Sequence, residues 1–280
     1  MTAGERIAMT DPHSGAGTAP SSYPDDEVLF RELLAAEDHH FWFTARNNVI
    51  AAILRRIAPS LPPGFRTLEI GCGTGNVLRL LETISGADRA VGMDMFAGGL
   101  RYAHQRTQCA LVQGDMHAPP FRAQFHLIGM FDVIEHFADD ARVLLDARAL
   151  LQPAGVLLLT VPAHMSLWSY ADEFAGHHRR YRRRELETKL ARAGFRVSYV
   201  SYFMAATFPV MWLKRRATSW AHKNHTPAEA RDLFLAELRP VPIVNEVMRW
   251  ITGKEAALIA SGRVLPFGTS LLAVAVCGEG

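Results

Sequence analysis

The chain has 280 residues, 49% of them hydrophobic, and its 30 Lys and Arg against 28 Asp and Glu leave a formal net charge of +2. That length holds one sizeable core, or one domain with a substantial insertion, and the near balance of charge argues against a nucleic-acid binder and against an acidic surface protein. Three widely spaced cysteines (Cys72, Cys109 and Cys277) make no metal pattern and fit reduced thiols in a cytoplasm.

Residues 1–24 carry Gly, Pro, Ser, Thr and Asp without the apolar stretch of a signal peptide, so they read as a disordered tail. Residues 25–64 read as a helical segment. Val28, Leu29, Leu33 and Leu34, then Ile50, Ile53, Leu54 and Ile57, recur at helix spacing, and Pro59, Pro62, Pro63 and Gly64 end the pattern. Within it the aromatic run Phe41-Trp42-Phe43 precedes Arg46. This is either a packing helix or an arm whose planar guanidinium reaches a ligand carboxylate.

Thr67-Leu68-Glu69-Ile70 is a short apolar strand, Gly71-Cys72-Gly73-Thr74-Gly75 a sharp turn, and a helix follows. Glycine lets a ligand approach the backbone closely, and the helix start offers unpaired N–H groups to an anionic group. The dinucleotide fingerprint wants a glycine at position 76, which here is Asn76. Asp94, followed by Met95, ends a second apolar run where an acidic side chain could accept hydrogen bonds from a ribose diol. Residues 98–107 suit a helix, and residues 110–113 a third strand closed by Gly114-Asp115-Met116.

Residues 125–131 form a fourth strand that runs into Asp132-Val133-Ile134-Glu135-His136. Asp132, Glu135 and His136 stand at i, i+3 and i+4 and would converge on one side of a helical turn. Three readings stay open: a hydrogen-bonded strut, a general base at His136, or ligation of a divalent cation by Asp132, Glu135 and His136. A helix over residues 141–151 leads to a fifth strand at residues 156–161, apolar throughout as a strand buried on both faces requires. Next comes a block containing His164, Trp168, Tyr170, Asp172, Phe174, His177 and His178, then five arginines among residues 179–184 around Tyr181. It leaves the carboxyl end of a central strand, the edge where open α/β sheets place ligands. The arginines alone are a weak sign of RNA, because the chain shows no general basic excess.

A sixth strand starts at Gly194, and residues 268–276 read as a last, antiparallel strand at the sheet edge. The 65 or so residues between them are too many for a structureless loop, so residues 203–268 are expected to be a helical cap insertion. Residues 203–213 are apolar and end in Lys214, Arg215 and Arg216. They form either the core helix of the cap or an interfacial helix on anionic lipid. No run approaches the roughly 20 apolar residues that span a bilayer.

Glu69-x-Gly71-x-Gly73-x-Gly75, with Asp94 and the Asp132-x-x-Glu135-His136 ending of strand four, resembles the class I S-adenosyl-L-methionine (SAM) methyltransferases. The spacing from Arg46 to the first strand is similar to that of the ubiquinone-biosynthesis O-methyltransferases. The resemblance implies a doubly wound α/β sheet, Rossmann-like and seven-stranded, with the core at residues 65–202 and 269–280. It also implies SAM as cofactor and S-adenosyl-L-homocysteine as product. Arg46 would hold the cofactor carboxylate, Asp94 the ribose, Asp115 the adenine amino group and Met116 the ring. Phe131 would meet the methionine end, and Glu69, Gly71, Gly73, Gly75 and Met95 complete the cofactor set. Trp168-Ser169-x-x-Asp172-Glu173 and Gly176-His177-x-Arg179-Arg180-Tyr181 look like a signature of bacterial methyltransferases encoded among envelope-glycan and secondary-metabolite genes. His164, Trp168, Arg180 and Tyr181 would then contact the acceptor, with His136 and His177 as candidate bases.

The expected reaction is in-line methyl transfer to a small-molecule or lipid-linked acceptor, at oxygen because Phe131-Asp132-Val133-Ile134 replaces the Asn-Pro-Pro-Tyr type motif of many amino-group enzymes. Nitrogen, carboxyl and peptide acceptors remain alternatives, as do a non-catalytic SAM-binding module and an RNA methyltransferase. The expected setting is cytoplasmic, with peripheral contact at the inner face of the membrane.

Overall fold

The computed structural model describes residues 7–9, 27–122, 125–219 and 226–278. Its elements in order are β1 (Ile7–Met9), α1 (Glu27–Glu37), α2 (Phe41–Ile57), β2 (Thr67–Ile70), α3 (Leu78–Ser85), β3 (Ala90–Asp94), α4 (Ala97–Arg106), β4 (Ala110–Gln113) and β5 (Phe125–Phe131). There follow α5 (Asp140–Leu150), β6 (Leu151–Pro162), α6 (Tyr170–Phe174), α7 (Arg183–Arg192), β7 (Phe195–Phe203), α8 (Thr207–Ser219), α9 (Pro227–Glu237), α10 (Pro242–Ala260) and β8 (Ser270–Cys277).

The strands form one sheet in the order β1-β4-β3-β2-β5-β6-β8-β7. All neighbouring pairs from β1 to β6 are parallel, and β8 runs antiparallel to both β6 and β7. The seven strands β2 to β8 make the expected doubly wound sheet. Ile7–Met9 adds a short parallel edge beside β4, inside the segment read as a disordered tail; the rest of that segment lies outside the described residues. The chain winds outward in both directions from β2 and β5. Their carboxyl ends therefore flank the crevice where such sheets bind ligands.

Period-two alternation divides the core between the two faces. Ile128, Leu157, Leu159, Ala273 and Ala275 pack with α5 and α7, whereas Leu127, Leu158, Leu272 and Val274 pack with α2 and α10. One expectation is corrected here. The last strand is not at the edge: β8 lies between β6 and β7, and β7 is the edge strand. Burial explains it. Nearly every residue of β8 is buried, while β7 alternates outward through Arg196 and Ser198 in its first half.

Between β7 and β8 the described residues form α8, α9 and α10, but residues 203–213 are not a core helix. Phe203 ends β7, the helix starts at Thr207, and Val210 and Leu213 are 66% and 62% exposed. α10 lies along α2, and α9 packs on α6 through Phe174 and Phe234, with ring centroids 5.1 Å apart.

Candidate active site

The turn after β2 is held by the backbone. The N–H groups of Gly71 and Cys72 both donate to the Met93 carbonyl, at 2.8 and 3.1 Å, which ties the turn to β3. Gly71, Gly73 and Gly75 all have positive φ (71°, 49° and 79°), a region only glycine enters cheaply. They do different work. A Cβ on Gly71 would sit 2.6 Å from Val133 Cγ2, and one on Gly75 would meet Ala103 at 3.1 Å, so both are required by packing. A Cβ on Gly73 would meet nothing within 4 Å. Gly73 thus borders open space at the mouth of the crevice.

Charged and polar side chains surround this opening. Asp94, at the end of β3, accepts from the Gly73 N–H at 2.7 Å and from the Phe96 N–H at 2.9 Å. Glu69 is buried with no hydrogen bond to Oε2, and burial pushes its pKa well up against the opposing Arg46 charge. Arg46 donates to the Asp132 carboxylate at 3.0 Å and lies 5.0 Å over the Trp42 ring. The segment is thus a packing helix in which the Trp42 ring and Asp132 hold the Arg46 guanidinium beside the end of β5. Phe131 has its side chain in the core, Met116 is buried, Met95 is exposed, and Asp115 accepts from the His117 N–H at 2.9 Å. An open glycine beside Asp94 and an orphaned Glu69 oxygen fit a ligand that is polar along one side, as SAM is.

Sequence reasoning missed Glu37. This buried residue of α1 accepts from Thr74 Oγ1 at 2.5 Å and pairs with Arg106, which clamps α1 onto the glycine turn. Nothing local in the sequence signals it, because its partners lie in the turn and in α4.

Beyond β5 the backbone twists through Asp132, at φ 57°, and this separates the triplet read from the sequence. The Asp132 carboxylate goes to Arg46, while Glu135 turns inward, fully buried, with no hydrogen bond to either carboxylate oxygen. Donor atoms of Glu135, His136 and His177 lie within 4.8 Å of one another. The group that could hold a cation is therefore these three, with His177 in the place expected for Asp132. Burial and the Asp132 charge raise the Glu135 pKa well above its ordinary value. Burial and the neighbouring His177 lower that of His136 to about 3.

His177 is held from behind. Its Nδ1 lies 3.0 Å from Asp172 Oδ1, and its Nε2 lies 4.0 Å from Glu135 Oε1. Asp172 is itself fixed by Arg180, through Nε at 2.7 Å and Nη2 at 3.0 Å, and by the Ser169 N–H at 2.9 Å. Burial works to raise its pKa, but the bonds from His177 and Arg180 outweigh this and hold it below the ordinary carboxylate value.

Two expected acceptor contacts are corrected. Arg180 is committed to Asp172 and to the Ala163 carbonyl, so it braces the loop. Tyr181 is fully buried and donates to Asp140 at 2.8 Å, so no acceptor can reach it. Trp168 bonds Glu173 at 3.2 Å on the loop surface. His164 follows just after β6. At φ 62° it is turned out of β6, stacked on Tyr202 with centroids 5.0 Å apart and flanked by Phe208, and its buried Nε2 has no hydrogen bond.

Comparison with known proteins agrees with this geometry. A family model described as a methyltransferase domain matches residues 42–200. The 37.1 kDa protein in transposon TN4556 of Streptomyces fradiae is 28% identical over 281 residues, covering 91% of this chain and 79% of that protein. A ubiquinone biosynthesis O-methyltransferase of Dinoroseobacter shibae is 31% identical over 113 residues, 36% of this chain and 42% of its own length. Among solved structures, a phosphoethanolamine N-methyltransferase 2 of Haemonchus contortus shares the fold with a TM-score of 0.52 at 18% identity, over 83% of this chain and 53% of that one. The matched segment runs from Trp42 through β2, the glycine turn, Asp94 and the Asp172–His177 pair into β7, so that the chain belongs to the methyltransferase-domain family and is a class I methyltransferase whose cofactor is S-adenosyl-L-methionine.

Proposed function

We propose that this enzyme methylates an oxygen of a small-molecule acceptor, with His177 as the general base. The observation that carries the reading is the Asp172–His177 pair, with Nδ1 held at 3.0 Å. An ionised Asp172 accepts the Nδ1–H and leaves Nε2 as the basic nitrogen, facing the Glu135–His136 pocket. His136, whose pKa is lowered to about 3, is too weak a base to share the task.

Bound SAM supplies a methyl group on a sulfonium, a good leaving group. The protein's part is to bind, orient and exclude water. Gly71, Gly73, Gly75, Glu69 and Asp94, with Asp115 and Met116, would hold the adenosyl half. Arg46 would exchange Asp132 for the amino-acid carboxylate, and Met95 and the Phe131 backbone would close the site. His164, in its slot between Tyr202 and Phe208, would meet a flat or apolar acceptor, with Trp168 at the rim. His177 Nε2 would take the acceptor's hydroxyl proton, so that its oxygen could receive the methyl group SAM would supply, with S-adenosyl-L-homocysteine as the leaving group.

An oxygen acceptor is supported by this need for a base and by the likeness to a ubiquinone biosynthesis O-methyltransferase. The RNA alternative loses support because Arg179, Arg180 and Arg183 are spent on Asp140, Asp172 and Glu187. The setting we propose is cytoplasmic. The test is turnover of phenolic, carboxyl and amine acceptors with product mass analysis. His177→Ala and Asp172→Asn should lower kcat about 100-fold or more while SAM affinity holds. Unchanged kcat in His177→Ala, or methylated amines only, would overturn the reading.

One observation favours a second reading. The two orphaned oxygens of Glu135, with His136 and His177 beside them and Asp172 behind His177, also suit a divalent cation that would lower the acceptor's pKa. Full activity after exhaustive chelation removes it.

A further inference from the structure

The orientation of α10 is unexplained by methyl transfer. Its inner face buries Asn245, Thr252 and Glu255 beside Ala256 and Ile259. Asn245 accepts from the Phe41 N–H at 2.7 Å and donates to the His39 carbonyl at 2.9 Å. Glu255 accepts from the N–H groups of Ala205 and Ala206 at 3.1 and 3.0 Å, at the start of α8. These bonds reach distant segments and fix the helix's rotation about its own axis. The outer face is apolar: Ile243, Val247, Trp250 and Leu258 stand at i, i+4, i+7 and i+15, with Val244 alongside and Lys254 at i+11, which is one stripe. Ile243 is 81% exposed and Trp250 68%. An amphipathic helix on a globular protein turns such a stripe to the core; here that rotation would break every bond of the inner face. α8 also leaves Val210 and Leu213 exposed, and Lys214, Arg215 and Arg216 follow them in sequence.

Charge selects what covers this face. Residues 203–268 hold nine Lys and Arg against five Asp and Glu, leaving 21 against 23 of the chain's 30 and 28 for everything else. The insertion therefore carries the chain's positive charge, and no acidic residue occurs between Phe203 and Glu229. A second copy docked through the same face would set positive against positive, since such an interface is self-complementary. An anionic bilayer meets both needs. Its headgroup boundary accepts valine, isoleucine and tryptophan side chains, and its phosphates accept lysine and arginine. Lys254 Nζ lies 5.6 Å from the Trp250 ring, so the two sit together as an apolar anchor with a charged tip. Among the described residues no helix is long and apolar enough to cross a membrane, so the contact would lie in the surface plane.

We propose that the outer face of α10, with α8, docks this protein on an anionic phospholipid surface. The proposal stands apart from the acceptor reading, because a water-soluble acceptor and a lipid-linked one are equally compatible with a docked enzyme. The experiment is flotation of the full chain with vesicles of phosphatidylcholine alone and of phosphatidylcholine with phosphatidylglycerol. Binding should occur only on the anionic vesicles and weaken steeply with salt. The Val247→Asp/Trp250→Asp variant should bind about tenfold more weakly, with SAM affinity unchanged to show that it is folded. No binding by the unaltered protein, or equal binding by the variant, would overturn the proposal. So would a dimer on gel filtration that the variant abolishes, since that assigns the face to a second copy.

Discussion

The glycine turn after β2 and the inserted helices of residues 203–268 are built on opposite plans. In the turn, each residue acts on its immediate surroundings. Gly71, Gly73 and Gly75 are glycines first because the φ of each is positive. In the insertion, the decisive bonds cross the chain, with Asn245 and Phe41 separated by 204 positions. Local constraint leaves a pattern in the sequence, whereas constraint between distant segments leaves ordinary residues in ordinary places.

The two neighbouring glycines offer the largest test of this difference. Gly71→Ala combines a left-handed backbone with a side chain forced into a stiff valine, and should cost about 2–5 kcal/mol. Gly73→Ala bears only the backbone cost, about 1–2 kcal/mol, yet its methyl enters the open space beside Asp94. Thermal unfolding should therefore separate the two strongly, while calorimetry with SAM should show Gly73→Ala losing affinity far beyond its loss of stability. Equal behaviour in both measurements would mean that Gly73 does not face the cofactor.

The same distinction explains what could be read in advance. The strand runs at residues 67–70, 90–94, 125–131 and 156–161 are legible because a doubly buried strand must be apolar throughout. The turn is legible because three alternate glycines have few other uses. Tyr181 and Arg180 were misjudged because a tyrosine under Asp140 and an arginine under Asp172 look, in sequence, like any polar pair in a loop. Glu37 gave no sign for the same reason. The edge position expected for β8 failed because strand order depends on which faces are covered, and the helices that cover them lie elsewhere in the chain.

Glu135 stands between the two plans, placed by the local turn after β5 but surrounded by residues of the 164–184 loop. Its folded pKa is raised above the ordinary 4.5 by burial and by Asp132. The native state thus holds this proton more tightly than the unfolded chain does. The associated stability is present below the ordinary value and is lost as pH rises toward and through the folded one. Glu135→Gln removes the dependence. It should be neutral near pH 4 and more stable than the unaltered protein at neutral pH, measured by denaturant unfolding across that range. A destabilised variant whose deficit disappears on chelation would instead support the cation reading.

The smallest effects come from α10, where they run against the usual expectation for a helix. Asn245→Ala removes a polar side chain, ordinarily a mild change, but here it strands the Phe41 N–H and the His39 carbonyl at the start of α2. The cost should be about 1–2 kcal/mol. Val247→Ser removes an apolar side chain, ordinarily the damaging change, but this one is 52% exposed and should shift stability by about 0.5 kcal/mol or less. Paired urea titrations decide the matter, because the ranking and not the size of the effects carries the information. A helix packed in the common way would lose more from the valine than from the asparagine, and that ranking would mean α10 is turned the other way about.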